Sequence, residues 1–566
     1  MSRTLFLIPA RGGSRRLPGK NVGLLAGIPL VGWAARVARA ASEPGDLVIC
    51  STDDPAIAEA AAAWGARVLD RPAQLATDSA TTLDVALNAI EALEREGPPV
   101  DRLVLVQPTS PLTDPADLRA AVELARSTGR SVTTVTTSHP ASWHHRLEVD
   151  GGLVAVDGDD ASHLLTGAFY VATPSDLRRT GRFVEPGVTL GFTTPPERAV
   201  DIDEPHEFAL AADLLARRPI PSVRIADRQV GAGPVFVIAE VGVNHDGDVE
   251  LAHRLIDAAA DAGAGAVKFQ TFVPEALAAE RAPTAAYQAA NDQGDDQRAM
   301  LSRLALSADA WPALQRHARD RRIEFLSTPF DDASAELLDR LDVPGIKVGS
   351  GELTNLPFLA RLARKGRPMI VSTGMATMLE VAAAVDVIRA AGLAELALLH
   401  CVSAYPADPG DANLRAMATM RDAFGLWTGW SDHTPGIELP VAATVLGAKI
   451  IEKHLTLDRG RRGPDHAMSL EPEAFATMVE AIRTTEAATR GDGMKRPTTA
   501  ELEIAAVVRR SLHWARDLPA GAEIDEEALV AQRPGTGLSP ARTVDLVGRR
   551  TARAVTAGTA VQEGDA

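Results

Sequence analysis

Short apolar runs separated by Ala-rich stretches of helical periodicity set the pattern of this chain, and the pattern changes twice. Up to about residue 218, apolar runs at 4–9, 47–51, 67–69, 103–107 and 131–135 alternate with helical stretches, which predicts a parallel α/β sheet with ligands gathered at its strand C-termini. The run Arg218-Pro219-Ile220-Pro221-Ser222 then breaks the periodicity with two prolines and reads as a short linker. From 223 to 233 a small hairpin is expected. Beyond it come eight apolar strand candidates, at 235–241, 266–269, 324–327, 345–348, 369–372, 396–400, 426–430 and 448–453, interleaved with helical stretches. Eight βα repeats predict a TIM barrel over 219–495. Past Gly491-Asp492-Gly493 comes a third segment, 503–566, which at this size is marginal alone and is expected to pack on something.

The polar positions sharpen this picture. Seven of the eight barrel strand candidates close on chemically capable residues: Glu240; Lys268 and Gln270; Thr328; Lys347 with Ser350 and Glu352; Tyr405; Ser431 with His433; Lys453 with His454. Strand C-termini form the active site of a TIM barrel, so these side chains are expected to converge. His433 and His454 end successive strands, where two imidazoles can share one divalent metal and leave positions open for substrate. In the first segment, Ala10-Arg11-Gly12-Gly13-Ser14-Arg15-Arg16-Leu17-Pro18-Gly19-Lys20-Asn21 follows the first strand. Its glycines let backbone amides approach phosphates and its cations neutralise them. The glycine spacing and the Asn after Lys20 are not those of a P-loop. Asp201 and Asp203, two apart on an extended segment, share a face and can hold Mg²⁺ against a triphosphate.

Length and composition narrow the function classes. At 566 residues the chain exceeds one core, and 46% apolar with 23% charged residues is ordinary for a globular protein. A formal charge of −17 argues against nucleic-acid or anionic-membrane partners, which need a basic surface. Anionic small molecules then require local cations, which the loop at 11–20 and Lys268 and Lys347 provide. Cys50 and Cys401 allow no disulfide framework, and no signal-peptide core or run of 18 apolar residues exists, so a cytoplasmic location is expected.

The motifs AEVGVNHDG, VKFQT, STPFD, KVGSGE, SDHTPG and EKHLTLD together resemble the sialic acid synthase family, from about residue 223 onward. IPARGGSRRLPGKN with QPTSPL and DIDEP resembles a second family, the CMP-sialic acid synthetases (acylneuraminate cytidylyltransferases). The segment from Arg509 resembles the antifreeze-like (SAF) module of the synthases. These resemblances imply a fusion of two consecutive enzymes: the barrel joins phosphoenolpyruvate to an N-acetylmannosamine-type sugar, and the Rossmann-like N-terminal domain activates the acid with CTP. Legionaminic or pseudaminic precursors are the alternative substrates, and a non-catalytic scaffold half is the rival from another class.

The resemblance implies CTP contacts from Arg11, Lys20 and Asn21, with Arg71 and Gln107 lining the nucleotide site and Asp201 and Asp203 as Mg²⁺ ligands. In the barrel it implies Mn²⁺ or a similar ion at His433 and His454, and phosphoenolpyruvate contacts from Lys268, Thr328, Lys347, Ser350 and Ser431. Glu240 and Glu352 are expected to orient hydroxyls or transfer protons, with Asp465 partnering His454 or the sugar. Gln270 and Tyr405 complete the pocket. Thr166 and Ser403 stand where the families commonly have Asn, which implies altered contacts to the sugar or to phosphoenolpyruvate. Arg533, in a rigid loop, matches a sugar-contacting Arg delivered across a domain-swapped homodimer.

Overall fold

The computed structural model describes residues 3–77, 79–138, 145–147, 153–155, 163–285, 288 and 296–566. The N-terminal sheet has seven strands in the order Leu190–Thr193, Val132–Thr137, His163–Ala172, Arg102–Val106, Thr4–Pro9, Leu47–Thr52, Arg67–Asp70. The five predicted strands are all present. The sheet is not wholly parallel, however, because His163–Ala172 runs antiparallel to both neighbours, with a register shift between Leu165 and Tyr170. The central strand Thr4–Pro9 is buried on both faces, as a parallel strand between helices must be, which explains its unbroken apolar run. Two helices of this domain start at side-chain caps: Asp54 accepts from the amides of Ala56 and Ile57, and Thr81 with Asp84 forms a capping box.

All eight expected barrel strands form and close on one another: Phe236–Gly242, Ala266–Thr271, Glu324–Pro329, Ile346–Val348, Met369–Ser372, Leu396–Cys401, Trp427–Asp432 and Ile450–His454. The two-residue alternation of strands sorts the interior into tiers. Phe236, Ile238, Ala266, Leu326, Ile370, Ala397, Leu399 and Ile450 form an apolar cluster with Val223, Ile225 and Val230 of the expected hairpin, so the hairpin closes the base of the barrel. Two residues further along several of those strands stand Glu240, Lys268, Thr328, Ser372, Cys401 and Glu452, all buried. Gly429 makes room between the strands: a Cβ there would lie 2.2 Å from the Ile450 carbonyl oxygen and 2.8 Å from Leu399 Cδ2.

The two N-terminal regions form one compact unit, residues 1–489, and residues 490–566 form a second. Helix Leu30–Ala41 shows how the first unit is joined. Its buried residues, from Leu30 and Trp33 to Val37 and Ala41, are too many for one amphipathic stripe, and a helix apolar on several sides is covered on several sides. Arg36 reaches Asp386 on the barrel helix Met378–Ala390 at 2.8 Å, with its guanidinium 5.7 Å from the Trp33 ring and 5.3 Å from the Phe424 ring. Arg218, in the predicted linker, donates to the Asp422 carbonyl at 2.8 Å.

The second unit packs Leu512, Trp514, Leu518, Ile524, Ala528, Leu546, Val555 and Val561 into its own small core around the hairpin Ser511–Trp514 and Leu529–Gln532. Its helix Thr499–Val508 buries no residue, and Leu502, Ile504 and Val507 are more than half exposed. No described helix is long and apolar enough to cross a membrane.

Candidate active sites

At the C-terminal ends of the barrel strands the inward-facing charges form one buried cluster. Lys268 Nζ lies 2.8 Å from Glu240 Oε2 and 3.6 Å from Glu452 Oε2, and Lys347 Nζ lies 3.5 Å from Glu452 Oε1. Hydroxyls and an amide complete the hydrogen bonding. Lys268 donates to Thr328 at 3.2 Å, Lys347 to Ser372 at 2.7 Å, Gln270 to Glu240 at 3.0 Å and Ser431 to Glu452 at 2.8 Å. Two ammonium groups against two carboxylates make the cluster neutral, which is what allows it to be buried. Burial pushes Glu240 above the usual carboxylate range despite Lys268. It pushes Glu452 the same way, but there the two lysines outweigh it and hold the group well below that range. Burial also lowers Lys347 from its ordinary value. One acid is thus poised to carry a proton while the other stays ionised.

Beside this cluster the rings of His433 and His454 lie 5.4 Å apart, and the Tyr405 ring lies 4.2 Å from that of His433, tilted by 41°. His433 Nδ1 bonds the Val402 carbonyl at 2.8 Å, which leaves Nε2 with its lone pair. His454 Nδ1 is buried without a hydrogen-bond partner. Burial and the neighbouring His433 and lysines hold His454 well below its ordinary pKa, hence neutral. Asp465 Oδ2 is 3.9 Å from His454 Nδ1, and burial raises Asp465 to about 6. Burial opposes charge on His433, but the Cys401 thiol and the Val402 carbonyl outweigh it and raise its pKa. Two imidazoles side by side, one of them with an orphaned nitrogen, suit a divalent cation of borderline hardness that would displace the His433 proton. Among the described residues no three His, Cys, Asp or Glu side chains form a closed metal cage.

Most of the expected barrel residues therefore meet. Ser350 Oγ accepts from the Gly374 amide at 3.0 Å, and the Ser403 hydroxyl is buried without a hydrogen-bond partner near Gly374. Glu352 is half-buried and accepts from Asn355 at 2.8 Å on the same turn. Lys453 does not converge with the others. Alternation turns it to the opposite side of its strand from His454, where it pairs with Asp432 at 2.6 Å. Glu452 is the residue the sequence reading passed over. The signal was available, since a residue two before an inward-facing His454 must also face inward.

In the N-terminal domain the Gly-rich loop and the acidic pair come together. Lys20 Nζ bonds Asp203 Oδ1 at 2.8 Å and Arg16 bonds Asp203 Oδ2 at 3.0 Å. The side-chain bond from Lys20, with help from Arg16, holds Asp203 below the usual carboxylate range. Desolvation, with Asp203 nearby, raises Asp201 although Thr109 hydrogen-bonds it. Asn21 donates to the Arg11 carbonyl at 3.0 Å, and Arg11 itself donates to the Thr77 carbonyl at 3.1 Å. Arg71 is buried and donates to the Ser51 carbonyl at 2.7 Å, and the backbone N–H of Gln107 donates to the Ala168 carbonyl at 3.0 Å. Thr166 Oγ1 donates to Thr134 Oγ1 at 2.6 Å. Two carboxylates separated by buried Ile202 beside a cationic glycine loop suit a triphosphate with its cation. Arg533 stands exposed on the loop after the second unit's hairpin.

Comparison with known proteins agrees with this chemistry. Residues 5–161 match the Cytidylyltransferase family, residues 255–495 the NeuB family and residues 509–565 the SAF domain. The N,N'-diacetyllegionaminic acid synthase of Legionella pneumophila is 45% identical over 329 residues, which cover 57% of this chain and 92% of that protein. The N-acetylneuraminate-9-phosphate synthase of Mus musculus is 35% identical over 326 residues, covering 56% of this chain and 89% of that protein. A solved structure of the N-acetylneuraminic acid synthetase from Leptospira borgpetersenii is 33% identical, with a TM-score of 0.46, covering 51% of this chain and 96% of that one.

Proposed function

The chain belongs to the NeuB family, with a cytidylyltransferase domain ahead of the barrel and a SAF domain behind it, and from this we propose that it makes and then activates one nonulosonic acid. It is a bifunctional enzyme of nonulosonic acid synthesis, with cytidylyltransferase and synthase domains in one polypeptide. The functional domains are taken as residues 1–218, 219–495 and 503–566. The observation that carries the synthase reading is the neutral buried cluster of Lys268, Lys347, Glu240 and Glu452 beside His433 and His454.

In the barrel, Lys268 and Lys347 neutralise the phosphate and carboxylate of phosphoenolpyruvate, with Thr328, Ser350, Ser403 and Ser431 donating hydroxyl hydrogens. His433 and His454 would hold Mn²⁺ or a similar cation, which when bound polarises a sugar aldehyde. Carbon 3 of phosphoenolpyruvate forms the new bond to the aldehyde carbon. The aldehyde π bond opens to its oxygen, which takes up a proton, while water adds at carbon 2 and gives one proton to Glu240. The carbon–oxygen bond to phosphate then breaks as the carbon 2 hydroxyl loses its proton to the departing phosphate and becomes the ketone. Gln270 holds Glu240 Oε1 in place, while Tyr405, Glu352 and Asp465 bound the sugar side of the pocket.

In the N-terminal domain, Arg11, Lys20, Asn21, Arg71 and Gln107 position CTP. Asp201 and Asp203 would hold Mg²⁺, whose charge offsets that of the triphosphate when it is bound. Binding of CTP releases Lys20 and Arg16 from Asp203 to the phosphates. The sugar acid's anomeric oxygen bonds to the α-phosphorus as the bridging oxygen of pyrophosphate leaves.

For the sugar, the 45% identity to a diacetyllegionaminic acid synthase, against 35% to an N-acetylneuraminate-9-phosphate synthase, favours a di-N-acetylated precursor over N-acetylmannosamine. The enzyme works as a homodimer in the cytoplasm. The dimer is supported by the uncovered apolar residues of helix Thr499–Val508, and the compartment by the two free, buried cysteines. Mass spectrometry of reactions containing phosphoenolpyruvate, CTP, Mn²⁺, Mg²⁺ and one N-acyl hexosamine at a time tests the whole reading. A CMP-linked nonulosonate from the di-N-acetylated sugar is expected, a free acid alone would refute the nucleotidyl half, and no product from any sugar would refute both.

A further inference from the structure

The junction between the N-terminal domain and the barrel is built on two barrel helices that both begin where the synthase site ends. Helix Met378–Ala390 follows strand Met369–Ser372 through the loop that holds Gly374 and Met375. Helix Ala416–Phe424 follows strand Leu396–Cys401 through the segment that holds Ser403 and Tyr405. The first of these loops is tightly set. The Gly374 amide is held by Ser350 Oγ at 3.0 Å, and Met375 takes a left-handed φ of 63°, which costs a non-glycine residue energy.

The opposing surface belongs to the nucleotide loop. Gly23 donates to the Lys20 carbonyl at 3.0 Å, and the first amide of helix Leu30–Ala41 donates to the Gly23 carbonyl at 3.2 Å, so the turn between them is fixed to Lys20 and Asn21. That turn meets the barrel through Gly27, whose φ is 74°. A Cβ there would lie 2.9 Å from Thr419 Cγ2 and 3.4 Å from Met378 Cε. Arg36, with only 13% of its side chain exposed, closes the same face against Asp386 and Phe424. Helix Pro205–Arg217, which follows the Asp201–Asp203 pair, also packs on helix Ala416–Phe424. The turn at Gly27, helix Leu30–Ala41 and helix Pro205–Arg217 thus pack directly on barrel helices that follow two strands of the phosphoenolpyruvate pocket. Close-packed contacts of this kind shift together rather than independently.

We propose that this junction couples the two sites, so that CTP held by the loop around Lys20 changes the affinity of the barrel for phosphoenolpyruvate, and the reverse. The proposal rests on the functional reading above, and it gives the fusion a purpose beyond keeping two enzymes at equal numbers. Synthesis of the acid would respond to the presence of the nucleotide that consumes it.

The test is calorimetric titration of the full chain with phosphoenolpyruvate in Mn²⁺, without any sugar so that nothing turns over, at zero and at saturating CTP with Mg²⁺. The Kd of phosphoenolpyruvate is expected to change at least about threefold, and the Kd of CTP by the same factor when phosphoenolpyruvate is present, because binding linkage is reciprocal. Arg36→Met and Asp386→Asn touch neither ligand and break the contact between helix Leu30–Ala41 and helix Met378–Ala390. Each is expected to bring the factor towards one while either ligand alone binds as it does in the wild type. Equal Kd values with and without the second ligand in the wild type would overturn the coupling and leave the two activities standing. Failure of the wild type to bind one of the ligands at all would overturn the functional reading as well.

Discussion

Glu452 binds the barrel's charges together, since it is the group both buried lysines share. Glu452→Gln leaves two ammonium groups facing the single carboxylate of Glu240, and breaking a buried charge arrangement in this way costs about 3–5 kcal/mol. The expected outcome is a lower thermal midpoint together with a loss of synthase turnover, because the two lysines that meet phosphoenolpyruvate lose the carboxylate they share. An unchanged midpoint would mean that Glu452 does not compensate the lysines. His245 offers a pH signature separate from catalysis. Burial lowers it from 6.5 to about 4 against the pull of Asp246, so it stays neutral when folded while an unfolded chain takes up a proton. Its contribution is therefore fully present above pH 6.5 and is lost as pH falls towards 4. At pH 5 the loss is about 2 kcal/mol, from the linkage between pKa shift and stability. Urea melts of wild type and His245→Phe at pH 7 and pH 5 check this; the variant's stability is expected to fall less over the interval, and parallel falls would count against it. At this scale the sequence disclosed residue types better than partners. His433 and His454 were legible because strand ends converge in a barrel, whereas Lys453 was misplaced because alternation beside an inward-facing His454 was not applied to it.

Strands and helices were the most legible level. An apolar run that stops at a polar residue marks a buried strand reaching the barrel rim, and all eight appeared within a few residues of their expected bounds. The antiparallel strand His163–Ala172 was not foreseen as such, because direction is a property of connections and leaves no periodic trace in a single strand. Helix Leu30–Ala41 carried an unread signal, since apolar residues on more than one side meant a second partner beyond its own sheet. Gly429 tests the packing of the last two barrel strands. Gly429→Ala sets a methyl 2.2 Å from the Ile450 carbonyl oxygen and forces the strands apart. A loss of about 1–3 kcal/mol or more in denaturant melts is expected from such overpacking. Gly351→Ala, where nothing lies within 4 Å, is expected to stay near the wild type, and equal effects from both would contradict the packing account.

For the molecule as a whole, the uncovered helix Thr499–Val508 and the proposed homodimer meet in one experiment. Leu502→Glu with Val507→Glu is expected to shift the sedimentation coefficient from dimer to monomer, because charged groups would replace the exposed apolar ones. If Arg533 serves the barrel of the partner subunit, chains carrying His433→Ala and chains carrying Arg533→Ala, each nearly inactive alone, recover synthase activity when co-refolded. No recovery would mean that Arg533 acts within its own subunit or not at all. Assembly was the level least open to sequence, because composition says nothing about which surfaces meet.

The tiering of the barrel interior has a consequence for how such an enzyme changes over generations. The apolar tier of Ile238, Ala266, Leu326, Ile370 and Ile450, sealed from below by the hairpin, keeps the strands closed. The chemistry stands two residues higher, and the residues proposed to meet a sugar, Glu352, Tyr405 and Asp465, come from the loops beyond the strand ends. A lineage could therefore alter its sugar by rewriting loops, with neither the closure of the barrel nor the charge cluster at stake, and a family whose members make different nonulosonic acids on one scaffold is the inheritance such a layout permits.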